Sequence, residues 1–195
     1  MFNMKALFLR AMLALSIALG APVAMAGPIY HVSVDTSSLS GAGFLSLSMS
    51  GFDDSGTPKA FASNFSGNFG ADAFPQGDVS GNIIDGVHLG IAEVANYLDQ
   101  AVTFGGLFSF DVRFDGVLGD AASTFGVALL GEDFMYVGGF GNLVDISLIP
   151  DGTINVDLLA PGLVSVAEVP EPGEWLLLAT GLLLIGMSRR MQLRR

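Results

Sequence analysis

His31 and His88 are the only imidazoles in this 195-residue chain. Imidazole is the side chain whose unperturbed pKa lies nearest neutrality, so these two are the first candidates for base catalysis. Serine and aspartate are plentiful enough for a Ser-His-Asp triad, yet no G-x-S-x-G elbow accompanies them. Each histidine sits in an alternating stretch, YHVSV and VHLGI, and reads as an ordinary strand residue. Their wide separation, with no short-spaced partner, is a weak basis for a metal site. The acids offer more. Asp53-Asp54-Ser55-Gly56 and the run from Asp151 to Asp157 place several oxygens within loop distance, as calcium requires. Neither run matches the D-x-[DN]-x-[DN]-G-x5-E loop, and Asn155 and Asp157 alternate along a strand pattern. Turn formation and solvation account for these residues, with Asp53 and Asp54 remaining as a weak calcium candidate. Glu93, Glu132 and Asp133 are candidates for acid–base work on a glycoside, which needs two carboxyls held about 5–10 Å apart. Their positions in the sequence do not supply that geometry, and so acidic a chain makes chance pairing easy. Cysteine is absent, so thiolate catalysis, Cys-ligated zinc and iron–sulfur clusters are excluded within this chain. No catalytic constellation emerges, no cofactor is implied, and the expectation is a non-enzymatic protein.

The elements that would position these residues read as β. Leu45, Leu47 and Met49 alternate with Ser46, Ser48 and Ser50. Phe108, Phe110, Val112 and Phe114 alternate with Ser109, Asp111, Arg113 and Asp115. The same period recurs at Val144–Leu148 and Ile154–Leu158, as antiparallel sheets with one dry face require. Turn residues separate the runs at Asp53-Asp54-Ser55-Gly56, Asp85-Gly86, Asp115-Gly116 and Pro150-Asp151-Gly152. Strands are expected near 29–35, 43–50, 60–69, 78–84, 86–91, 101–105, 107–115, 124–130, 134–138, 143–149 and 153–159, with a hairpin at Pro150-Asp151-Gly152-Thr153. The segment IAEVANYL, 91–98, has the alternative of a short helical turn. The fold class is all-β, an antiparallel β-sandwich or jelly-roll-like body. Phenylalanines on alternating positions are expected to fill the space between the sheets. A carbohydrate platform would need exposed aromatics, and Tyr30, Tyr97 and Tyr136 are the tyrosines available to it.

Both ends differ from the body. Lys5 and Arg10, the apolar run Ala11 to Leu19 and the small-x-small triplet Ala24-Met25-Ala26 form a secretory signal, expected to be cleaved after Ala26. This gives a signal peptide over 1–26, a sandwich over 27–168 and a distinct tail over 169–195. Between Gly27 and Val169 lie seventeen acids and two bases, Lys59 and Arg113, a formal charge of −15. Such a surface repels phosphate backbones and excludes nucleic acid as a partner. In the tail, Trp175 to Met187 would span about 20 Å as a helix, short against a bilayer core of about 30 Å. Counting from Pro172 to Ser188 lengthens it, and Arg189 and Arg190 can snorkel to the interface. Four arginines follow, which the positive-inside rule places in the cytoplasm with the body outside.

Val169-Pro170-Glu171-Pro172, the apolar stretch, and the pairs Arg189-Arg190 and Arg194-Arg195 together resemble the PEP-CTERM sorting signal of exported bacterial proteins. The resemblance implies that an exosortase, a membrane cysteine transpeptidase, recognises Pro170, Glu171 and Pro172. It implies too that Arg189, Arg190, Arg194 and Arg195 act as a cytoplasmic stop. The precursor would sit in the inner membrane through a C-terminal transmembrane helix, and the product would reach the cell surface or extracellular space. Relatives of this kind are associated with exopolysaccharide and biofilm. The HVSVDTSSLSG start and the TFGVALL stretch resemble uncharacterised members of the same group, which brings no activity. Two expectations follow. The first is an exported, non-enzymatic surface or matrix protein processed by exosortase and associated with exopolysaccharide. The alternative is a carbohydrate-binding sandwich module, with calcium assistance as a variant.

Overall fold

The computed structural model describes residues 27–137, 141–169 and 180–181. Twelve strands follow in chain order: β1 Ile29–Asp35, β2 Ala42–Ser50, β3 Lys59–Ser66, β4 Phe69–Gln76, β5 Val79–Asn82, β6 Gly86–Leu89, β7 Tyr97–Thr103, β8 Leu107–Asp115, β9 Ser123–Gly131, β10 Val144–Leu148, β11 Ile154–Leu158 and β12 Val164–Val169. They form two six-stranded sheets, ordered β12-β1-β8-β3-β6-β5 and β11-β10-β9-β2-β7-β4, with antiparallel pairing between neighbours. The chain crosses repeatedly between the sheets, so β1-β8-β3-β6 faces β2-β7-β4 in jelly-roll winding, with β5 paired to β6 rather than to β4.

The alternating sequence dictates this packing. Leu45, Leu47 and Met49 from one sheet meet Val32, Val34, Phe108 and Phe110 from the other, all at most 1% exposed. With no disulfide available, this apolar layer holds the sheets together; each fully buried side chain contributes about 1.5–3 kcal/mol relative to exposure. Phe104, Phe108, Phe110 and Phe125 are buried between the sheets, and Phe65, Phe69 and Phe114 pack against them. The expected hairpin joins β10 to β11: Gly152 N–H donates to Ile149 O (2.9 Å) and Thr153 N–H to Asp151 Oδ1 (2.8 Å). Gly152 has φ 86, a left-handed conformation that disfavours a Cβ.

The structure departs from the sequence expectations at four places. The expected strand 60–69 is β3, which ends at Ser66 before a turn at Gly67, and β4 over Phe69–Gln76 is a further strand that the sequence pattern does not predict. Strand β4 carries little period-2 signal because it is an exposed edge strand containing Pro75. Residues 91–96 are not helical. The 4%-exposed Asn96 side chain gathers them instead: its Oδ1 accepts from Asp78 N–H (2.9 Å) and Glu93 N–H (3.2 Å), and its Nδ2 donates to Glu93 O (2.7 Å) and Met49 O (3.3 Å). Those bonds take up backbone groups that a helical turn would use. Of the expected strand 134–138, the described residues 134–137 form a bridge between Tyr136 and Leu130, and β12 is a strand that the sequence pattern does not predict. Among the described residues no helix is long and apolar enough to cross a membrane. The signal peptide with Ala24 and Ala26, the motif Pro170-Glu171-Pro172 and the four tail arginines lie outside the described residues.

Candidate functional site: an aromatic depression on the outer face of one sheet

The outer face of the sheet containing β2, β4, β7 and β9 is not uniformly polar. Register sets Phe74, Asp99, Ser46 and Ala128 side by side in one row across β4, β7, β2 and β9. In the next row Tyr97 lies between Gln76 and Ser48, and on the other side Phe44 lies between Ala101 and Leu130. The Gly131 turn after β9 brings in a further ring. Phe134 N–H donates to Gly131 O (3.0 Å), Met135 N–H to Asp133 Oδ1 (3.1 Å) and Gly131 N–H to Met135 O (2.8 Å). That turn folds Phe134 back over the sheet, where it stacks on Phe44 at 4.5 Å with 12° between the planes. Phe74 meets both rings edge-on, at 5.7 Å from Phe44 and 5.9 Å from Phe134.

Phe134 adopts φ 59, a left-handed backbone that is uncommon for an aromatic residue. Such a conformation costs on the order of 1–3 kcal/mol and persists only where the surroundings impose it. Ring stacking worth about 0.5–1.5 kcal/mol per pair offsets part of that cost. The cluster is nonetheless open to solvent: Phe74, Phe134 and Tyr136 are 49%, 48% and 55% exposed. Together these residues border a depression of about 720 Å³, whose polar lining includes Asp99, Gln76, Ser46 and Asn142. Gly126 contributes by having no side chain. A Cβ there would lie 2.2 Å from Asn142 Nδ2, so glycine lets Asn142 lie across the sheet. Asn142 is held by Asp145 Oδ1 at 2.6 Å.

Asp99 is the unusual member. It is 6% exposed, and its Oδ1 is buried with no hydrogen-bond partner. Burial raises the carboxyl above the usual aspartate range, and a hydrogen bond with Ser46 opposes the rise only in part. An unfilled buried acceptor beneath an aromatic rim suits a ligand that brings a donor and an apolar face.

The residues singled out in the sequence lie elsewhere. His31 faces Asp111 across β1 and β8, with Nδ1 2.6 Å from Oδ1; Asn64 Nδ2 donates to the other carboxylate oxygen at 2.8 Å. Asn64 reaches it from a bulge in β3 at φ 57. Burial opposes ionisation of Asp111, but Asn64, the imidazole hydrogen bond and the imidazole charge outweigh it and hold the carboxyl below its ordinary range. The depressed pKa stabilises the fold above the unfolded aspartate pKa, and that contribution is lost as pH falls through the folded value. Asp111→Asn is therefore expected to lower stability by about 0.5 kcal/mol at neutral pH. Urea unfolding should show the difference shrinking toward zero in acid. His88 packs against Phe61 with ring centroids 4.4 Å apart and planes tilted by 36°, and Arg113 lies over the same ring at 4.8 Å. Among the described residues no serine hydroxyl is hydrogen-bonded to either histidine.

A second depression, about 1190 Å³, lies between the loops at 51–58 and 91–94 and includes Asp53, Asp54, Asp78 and Glu93. Among the described residues no group of three or more His, Asp or Glu could hold a metal ion, so Asp53 and Asp54 lack the further carboxylate that calcium would favour. Glu93 lines this depression, whereas Glu132 and Asp133 lie in the turn after β9. Neither depression is lined by both sets. Sequence reasoning missed Asp99, Phe44, Phe74, Phe134 and Asn142. One signal was present: Phe44 lies in phase with Ser46 and Ser48, on the wet side of β2. No protein-family model, curated protein or solved structure matches the chain.

Proposed function

We propose that this β-sandwich is a carbohydrate-binding module of an exported surface protein. The observation that carries the reading is the depression beside β7, where solvent-open rings surround a buried carboxyl oxygen without a partner. Sugar rings offer apolar C–H faces to aromatics and hydroxyls to side chains such as Asp99, Gln76 and Asn142. Tyr97 and Tyr136, two of the three tyrosines available to a sugar platform, line this depression; Tyr30 is 8% exposed in the core. Calcium plays no part in the reading, and no catalytic residue is assigned.

Export and exosortase processing belong to the same proposal and rest on the sequence of the two ends. The signal triplet with Ala24 and Ala26 supports export; Pro170-Glu171-Pro172 and the tail arginines support exosortase as the processing partner. Ile29 and Val169 are paired across β1 and β12, so the described body begins and ends side by side on one sheet. That arrangement suits a precursor tethered to the membrane before release, with exopolysaccharide as the carbohydrate at its destination.

Binding of the chain to an array of bacterial exopolysaccharide fragments tests the reading. Tyr136→Ala and Phe74→Ala should each weaken binding by about tenfold. Both side chains are about half exposed, so the melting temperature should change little. Undiminished binding by both variants would place the carbohydrate elsewhere or remove it.

A further inference from the structure

We propose that the depression selects a cationic amino sugar, a hexosamine carrying a free ammonium group, and that Asp99 is the residue that reads it. The inference rests on the carbohydrate reading above and specifies its ligand. Three observations converge on the charge of the ligand. The 6%-exposed Asp99 carboxyl has an unpartnered oxygen, and its row neighbours, Phe74 and Ser46, bring no positive charge. The lining contains no lysine, arginine or histidine. The two cations of the body are placed elsewhere: Lys59 borders the other depression, and Arg113 lies over Phe61 on the opposite sheet. A counter-charge for the ionised Asp99 is absent from the depression and is available from a cationic ligand.

The rings reinforce this choice. Aromatic faces attract a partly desolvated cation as well as the C–H face of a sugar. A uronic acid or a sulfated sugar would place an anion beside Asp99 in a body carrying seventeen acids and two bases. An N-acetylated hexosamine would place a bulkier neutral amide where the carboxylate gains most from an ammonium. The free amine pairs with the Asp99 carboxylate at the floor of the depression in a charge-assisted contact and presents its ring to Phe74 or Tyr136.

Isothermal titration of the full chain in mild detergent distinguishes these ligands. The probes are β-1,4-linked hexamers of glucosamine, N-acetylglucosamine and glucose, at about 0.15 M salt and near pH 6, where the amine is charged. The glucosamine hexamer should bind at least about tenfold more tightly than the other two. Asp99→Asn should abolish that preference, whereas Asp53→Asn, which removes the same charge from the other depression, should leave it intact. Equal binding of the three hexamers overturns the amine reading and leaves carbohydrate binding standing. Loss of the preference in both variants overturns it as well, because diffuse charge would then explain the selectivity. Failure of all three to bind overturns this inference, while the exopolysaccharide array decides the broader reading separately.

Discussion

Asn96→Ala is expected to destabilise the sandwich by about 3 kcal/mol. One buried side chain here makes four hydrogen bonds, linking the backbone at Met49, Asp78 and Glu93. Alanine removes all four and leaves donors and acceptors in a region too enclosed to rehydrate fully. Leaving such a group unsatisfied costs about 1–3 kcal/mol, and partial relaxation of the exposed Glu93 backbone reduces the sum. The Asn96 carbonyl also accepts from Met49 N–H at 2.9 Å, so loosening this segment disturbs the end of β2. Urea unfolding followed by far-UV circular dichroism measures the change. A loss below about 0.5 kcal/mol would mean that the segment does not depend on the side chain.

Asp99→Asn should have the opposite sign, stabilising the protein at neutral pH by on the order of 1 kcal/mol once water at the groove mouth is allowed for. The folded carboxyl has a raised pKa, so between the unfolded and folded values the native state holds more protons than the unfolded chain. Stability of the wild type therefore falls as pH rises through that window. An amide has no charge to desolvate and avoids the loss. Melting curves should show the variant ahead at pH 7 and level with the wild type below the ordinary aspartate pKa of about 4. A variant less stable at every pH would show that the Asp99 carboxylate is already well satisfied. Stabilisation together with lost ligand selectivity is the pattern expected when a side chain is kept for binding at a cost to the fold.

The sandwich was legible because its central strands alternate cleanly, and apolar period two specifies which side must be dry. Leu45, Leu47 and Met49 are buried as their spacing predicts. Edge strands carry less of this information. Strand β4 has no buried face, and β12 has Val164 as its only buried residue, so neither produces a strong period. The helical alternative at 91–98 arose from spacing that ignores side-chain capture of the backbone by Asn96. The binding face was legible only in fragments, because it is assembled by register. Phe74, Asp99 and Ser46 are far apart in the chain and become neighbours only through the β4–β7 and β7–β2 pairings. Phe134 joins them through a left-handed turn that composition does not reveal. By contrast, the motif and arginines of the tail are contiguous, which is why the sequence speaks clearly about export and weakly about the body's ligand.

Methyl NMR titration of the chain with oligosaccharides cut from the producing cell's own exopolysaccharide tests carbohydrate binding at the aromatic depression. Ala73, Ala128 and Leu130 line the proposed groove, whereas Ala167 lies beside His31 on the other sheet. Saturable shifts are expected in the first three, with a stationary Ala167 signal. Shifts centred on Ala167, or no saturable shift in any of these methyls, would contradict it.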